Sequence, residues 1–163
     1  MESRVKIFGH PVHPMLIVLP LGLFVGAIVF DAIYLWSGFS TLRTVGFWNI
    51  GGGIVGGLVA AIFGLIDWLA IPAGTRAKNI GIFHALSNEA ALLVFAFVFW
   101  MRYSSRAFGA TRGLFVVEIC ALLLVLVGGW LGGELVDRLG VGVDTDANLN
   151  APNSLSGRRP RAA

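Results

Sequence analysis

The stretch Gly9-His10-Pro11-Val12-His13-Pro14 runs directly into Met15-Leu16-Ile17-Val18-Leu19-Pro20-Leu21-Gly22-Leu23-Phe24-Val25-Gly26, and that junction decides the fold. A proline disfavours α geometry in the residue before it and suits the first turn of a helix. His10 and His13 are therefore predicted on a stiff, non-helical entry, with Pro14 starting a helix. The apolar run behind Pro14 continues to Trp36. At about 1.5 Å per residue it is long enough to cross ~30 Å of hydrocarbon, so an entry segment over 1–14 leads into a membrane span.

Three more apolar runs follow, and the spans are placed at about 15–36, 45–71, 80–103 and 113–136 within a single domain over 15–140. The whole chain agrees, with 56% hydrophobic residues, 13% charged residues and a mean hydropathy of +0.82. Soluble domains carry about twice that share of charge. The N-terminal run is too long for a signal peptide and lacks a small-residue cleavage motif, so it is read as a retained span. From 141 to 163 the composition turns to Asp, Asn, Ser, Pro and Arg, which cannot bury a core, and a disordered tail is expected.

Each span shows how it packs. Pro20 is placed to kink the first, which also carries Gly22 and Gly26, with Tyr34 and Trp36 as an aromatic belt. The second holds Gly46, Gly51, Gly52, Gly53, Gly56, Gly57 and Gly64. Small residues four apart let helices approach closely in lipid, so this is the expected central packing helix. The fourth carries two such pairs, Gly128 with Gly132 and Gly129 with Gly133. Short connections make neighbouring helices antiparallel, which gives an all-α, up-down-up-down four-helix bundle in the membrane.

Both termini and the second loop then share one side. That side holds Arg4, Lys6, Arg76, Lys78, Arg138, Arg158, Arg159 and Arg161, against Arg43, Arg102, Arg106 and Arg112 on the other. The excess of basic residues puts the termini in the cytoplasm. The net charge of +3 is spread over loops and tail with no nucleic-acid motif, so no nucleic-acid partner is expected. Lipids are the expected surroundings, with redox-complex subunits or a second copy of the chain as protein partners.

The same topology gathers His10, His13, Asp67, His84, Asn88, Glu134 and Asp137 at the face that holds the termini. His84 and Asn88 share a helical stripe, from which Glu89 is turned away. Asp31 and Glu118 fall at the opposite face, where Arg43 or Arg112 is expected to neutralise them in a structural role.

Three uses of the cluster stay open. The histidines can brace the helices through carboxylates or main-chain carbonyls. His84 with His10 or His13 can ligate haem b between facing helices, glycine clearing room for the porphyrin. His10, His13, His84 and Asp67 can instead bind Zn or Cu or relay protons, with Asn88, Glu134 and Asp137 in support. Other chemistry has little to stand on. Gly51-Gly52-Gly53 has no following lysine, and Cys120, the single cysteine, lies in a span without a matched base.

Gly9-His10-Pro11-Val12-His13-Pro14, Gly64-Leu65-Ile66-Asp67-Trp68, His84 with Asn88, Trp130-Leu131-Gly132-Gly133-Glu134-Leu135-Val136 and Gly140-Val141-Gly142-Val143 together resemble the bacterial membrane family called domain of unknown function 2231. The resemblance spans about residues 5 to 143. It implies a four-span protein of the bacterial inner membrane without an established activity, and the chain is expected not to be an enzyme by itself. Relatives are joined to Rieske iron–sulfur or c-type cytochrome domains, which points to an accessory subunit of an electron-transfer assembly. Many relatives carry a histidine just before Gly-Val-Gly-Val. Here that place is Leu139, which leaves His10, His13 and His84.

Overall fold

The computed structural model of the chain describes residues 1–145, 147–156 and 158. Four helices long and apolar enough to cross a membrane make up the body, over Val12–Ser37, Ser40–Ala70, Arg76–Ser104 and Arg112–Arg138. The chain is an all-α four-helix membrane bundle.

The entry is more ordered than expected. Lys6–Ile7 (β1) and His10–Pro11 (β2) form a two-stranded antiparallel ribbon, with Ile7 opposite His10. Phe8 and Gly9 between them both have positive φ, of 50° and 83°, the backbone that a two-residue hairpin turn needs. A short helix α1, Val12–Leu16, follows at once. His13 is therefore helical, contrary to the expectation of an extended entry. Pro14 is the third residue of α1, where its missing N–H would have had no helical partner, so the helix starts ahead of it.

The long helices are α2, Val18–Ser37; α3, Ser40–Ala70; α4, Arg76–Ser104; and α5, Arg112–Gly133. Pro20 cannot donate to Leu16, and helix α1 gives way to α2 at Ile17, so the helix is interrupted one turn before the proline. The connections are shorter than the sequence suggests. Gly38 (φ 72°) caps α2 by donating its N–H to Tyr34 O at 2.8 Å, and α3 begins two residues later at Ser40 rather than Val45. Thr75 and Thr111 cap α4 and α5, each hydroxyl accepting the N–H three residues on, from Lys78 and Leu114, both at 3.2 Å. These caps start α4 and α5 slightly earlier than the apolar runs alone indicate. After α5 the chain continues in a π turn, Glu134–Arg138.

Helix α2 packs chiefly on α3 and α4 on α5, so the bundle is two antiparallel hairpins. Phe24, Ala27, Ile28, Ile50, Leu92, Phe95, Val98 and Ala121 form the buried core between them. Phe24 and Phe95 stack at mid-bundle, centroids 3.9 Å apart and planes within 2°. Large apolar side chains such as Val18, Val55, Leu93 and Leu123 point outward, as helices facing lipid require.

Glycine sets the spacing, though not at every position expected. A Cβ at Gly53 would lie 2.5 Å from Phe24 Cε1, and one at Gly57 2.6 Å from Leu92 Cδ2, so α3 is the central packing helix. Gly22, Gly129 and Gly133 meet nothing within 4 Å. Only Gly128 and Gly132 of the two α5 pairs face the bundle.

Residues 141–145, expected to open a free tail, are tied to the N-terminal segment. Gly142 N–H donates to Met1 O (2.8 Å), Met1 N to Gly140 O (2.8 Å), Lys6 Nζ pairs with Asp144, and Thr145 Oγ1 donates to Glu2 Oε1 (3.2 Å). Residues 146, 157 and 159–163 of that expected tail lie outside the described residues.

Candidate functional site

The polar face at the termini divides into two parts that the sequence had merged. His13, from α1, and His84, from the third turn of α4, meet across the bundle with ring centroids 6.2 Å apart and planes at 80°. The Nδ1 of each is 2.8 Å from a main-chain carbonyl of its own hairpin partner, Ala60 on α3 for His13 and Gly128 on α5 for His84. A carbonyl can only accept, so each Nδ1 carries a proton, and in the neutral ring each Nε2 keeps a lone pair. Neither Nε2 has a hydrogen-bond partner among the described residues.

The rings fit because glycine lies beside them. A Cβ at Gly64 would fall 2.8 Å from His13 Cε1, and one at Gly132 3.2 Å from His84 Cε1. Asn88 donates Nδ2 to His84 O (2.8 Å) and lies against Gly128, whose Cβ would stand 2.7 Å from Asn88 Oδ1. The glycines thus make room for the imidazoles and the amide.

The other cluster members are engaged elsewhere. Asp67 accepts from Ser3 Oγ (2.9 and 2.8 Å) and from the Arg4 N–H (2.7 Å), so it anchors the N-terminal segment and neither imidazole bonds to it. Glu134 pairs with Arg76 at 2.6 Å. Asp137 lies exposed in the π turn. His10 is exposed on β2, its Nε2 at 3.5 Å from Ser154 Oγ, apart from the His13–His84 pair. No group of three or more histidine, cysteine or carboxylate side chains suited to a metal ion occurs among the described residues.

At the opposite face Asp31 and Glu118 are buried, but their partner is neither Arg43 nor Arg112. It is Arg102, itself fully buried. Arg102 grips Asp31 with two bonds, Nη1 to Oδ2 (2.6 Å) and Nη2 to Oδ1 (2.9 Å), and reaches Glu118 Oε1 at 3.1 Å. Its remaining donors go to the main-chain oxygens of Phe108 and Arg43. Arg43 thus contributes its backbone. Position near the end of α4 suggested a loop cation, but a guanidinium needs a planar set of acceptors, and only the interior offers one.

A pattern in the sequence underlies both sites. His13, Phe24 and Asp31 are spaced as His84, Phe95 and Arg102 are, with the second and third residues eleven and eighteen after the histidine. Each residue of one set touches its counterpart in the other, through the ring pair, the phenyl stack and the ion pair. Ala60 and Gly64 match Gly128 and Gly132 in the same way. The two hairpins repeat one plan, and the repeated spacing was the available signal for the His13–His84 and Asp31–Arg102 pairings.

Residues 9–145 match the family described as a predicted membrane protein, DUF2231. The chain belongs to this family. This DUF2231 protein is thus a membrane protein with four candidate spans, and the match covers both hairpins, the His13–His84 pair and the Arg102, Asp31 and Glu118 cluster. No curated protein and no solved structure matches the chain.

Proposed function

We propose that this protein is an accessory subunit of an electron-transfer assembly in the bacterial inner membrane, not an enzyme by itself, with its termini in the cytoplasm. We propose further that His13 and His84 hold its cofactor. The observation that carries this reading is the pair of imidazoles whose Nδ1–H groups are fixed on carbonyls while both Nε2 lone pairs are left over. Protein ligands to metals are commonly oriented in this way, by a hydrogen bond from the second ring nitrogen.

The donor set suits one transition-metal ion. Two imidazoles with ring centres 6.2 Å apart would be close enough to share one ion. Imidazole nitrogen favours copper, zinc and iron. A porphyrin fits less well, because the space beside Gly64, Gly128 and Gly132 is taken up by His13, Asn88 and His84. Copper or zinc is the cofactor this arrangement favours over haem b, and of the two only copper can carry electrons. A bound redox metal would supply electron transfer, and the two histidines would hold it and keep its charge near one membrane face.

A second reading rests on the same Nδ1 bonds. Each ties one helix to the next within a hairpin, so the histidines brace the bundle without a cofactor. Elemental analysis and an absorption spectrum of protein purified from cells supplied with haem, copper and zinc separate the two. Stoichiometric metal that is lost in His13→Ala and in His84→Ala, and kept in His10→Ala, supports the site. Wild-type protein with neither metal nor a haem spectrum overturns it in favour of the brace.

A further inference from the structure

The two hairpins differ in kind at one buried position. Ile50 lies ten residues before Ala60, and Glu118 ten before Gly128, so they occupy matching places in α3 and α5, and both are fully buried. The fold therefore accepts an aliphatic side chain there, and packing alone gives no reason for a carboxyl. Nor does charge balance, since Arg102 and Asp31 already neutralise one another. Glu118 adds a surplus negative charge, and its Oε2 has no hydrogen-bond partner among the described residues.

The groups facing Glu118 are few. Helix α4 presents Arg102 and α2 presents Asp31, while α3 and the α4–α5 connection offer Arg102 the main-chain oxygens of Arg43 and Phe108. No further titratable side chain is bonded to these three among the described residues. One guanidinium facing two ionised carboxylates inside hydrocarbon leaves an uncompensated charge, which a buried site avoids by neutralising one group.

We propose that this site binds a proton, Glu118 being held as the un-ionised acid with its O–H on Oε2. Binding forms the Oε2–H bond, and release returns the proton to water and leaves a carboxylate beside Asp31. Exchange runs to the face of the α4–α5 connection, because Glu118 lies six residues, about 9 Å, inside the start of α5. Toward the other face the Phe24–Phe95 stack closes the bundle axis. The site is a proton store whose shorter route to water leads to one side of the membrane.

Infrared difference spectroscopy across a pH jump tests this on the full chain in lipid. An un-ionised carboxyl stretch is expected near neutral pH, shifted in D2O, moved by glutamate-selective 13C labelling, and lost on alkalinisation. It should vanish in Glu118→Gln and in Glu118→Ile, which copies the residue of the first hairpin. Absence of the band in wild type overturns the proposal, as does its persistence in either variant. Should both variants fail to fold, the labelling still overturns the proposal if 13C-glutamate leaves the band in place, since such a band is not Glu118. A band abolished by sodium ion at fixed pH overturns the proposal in favour of a metal cation.

Discussion

Arg102 and Asp31 form a fully buried two-bond ion pair, at 2.6 and 2.9 Å, between corresponding positions of two hairpins that repeat one plan. The pair fastens α2 to α4 at the end of the bundle away from the histidines. Eighteen helical residues separate His84 from Arg102, so the two polar levels lie ~27 Å apart, close to the thickness of the hydrocarbon.

Breaking that pair from one side strands a charge. Arg102→Leu leaves two buried carboxyls without a cation and is expected to lower stability in detergent by about 3–5 kcal/mol. The double variant Asp31→Leu with Arg102→Leu should lose less than the two singles added together. Thermal unfolding of the four proteins measures the coupling, and strictly additive losses would refute it.

The glycines of α3 and α5 divide into packed and open positions. Gly53→Leu has to displace Phe24 from its stack with Phe95 and is expected to lower the melting temperature in detergent markedly. Gly129→Leu, with nothing within 4 Å, should leave it unchanged. Equal effects from the two would mean that the face of α5 is wrongly assigned.

Loss of either bracing histidine has a modest structural effect of its own. Polar contacts between membrane helices average about 0.6 kcal/mol, so His13→Ala and His84→Ala should each cost around that amount in metal-free protein. A far larger loss from the metal-loaded form, and not from the metal-free form, marks the cofactor's share. If wild type shows no stabilisation by copper or zinc, the paired nitrogens are a brace alone.

The contacts that tie residues 141–145 to the N-terminal segment depend on pH. Hydrogen bonds from Lys6 and then from the N–H and hydroxyl of Thr145 hold Glu2 below its ordinary value of 4.5. Its contribution is present above that value and is lost as pH falls through the lowered one. Asp144 and then Glu2 raise Lys6 above 10.5, so its contribution is complete below 10.5 and fades as pH rises through the raised value. Protection of the Gly142 and Thr145 amides, measured as exchange relative to the intrinsic rate at each pH, should therefore be high at neutral pH and fall in strong acid, and also in high salt, since these pairs are exposed. Protection that ignores both pH and salt would argue against the clamp.

Four crossings put both termini on one side. Reporter fusions at Ala163 and within the connection at 105–111 should give opposite signals, and matching signals would mean that one helix does not cross.

Composition and apolar run length alone determined that this chain enters the bilayer four times, because a backbone in hydrocarbon must satisfy its own hydrogen bonds and helices do so locally. The glycine spacing of α3 marked the packing helix for the same reason, since close approach depends on the residue and not on its distant partner. Partner choice was another matter. Asp67 went to Ser3 and Arg4, Arg102 went inward, and His10 parted from His13, because which acceptor a side chain meets depends on helix rotation and on loops only two to seven residues long. The spacing shared by His13, Phe24 and Asp31 with His84, Phe95 and Arg102 lay open in the sequence, but only the packed bundle decided that each residue meets its own counterpart.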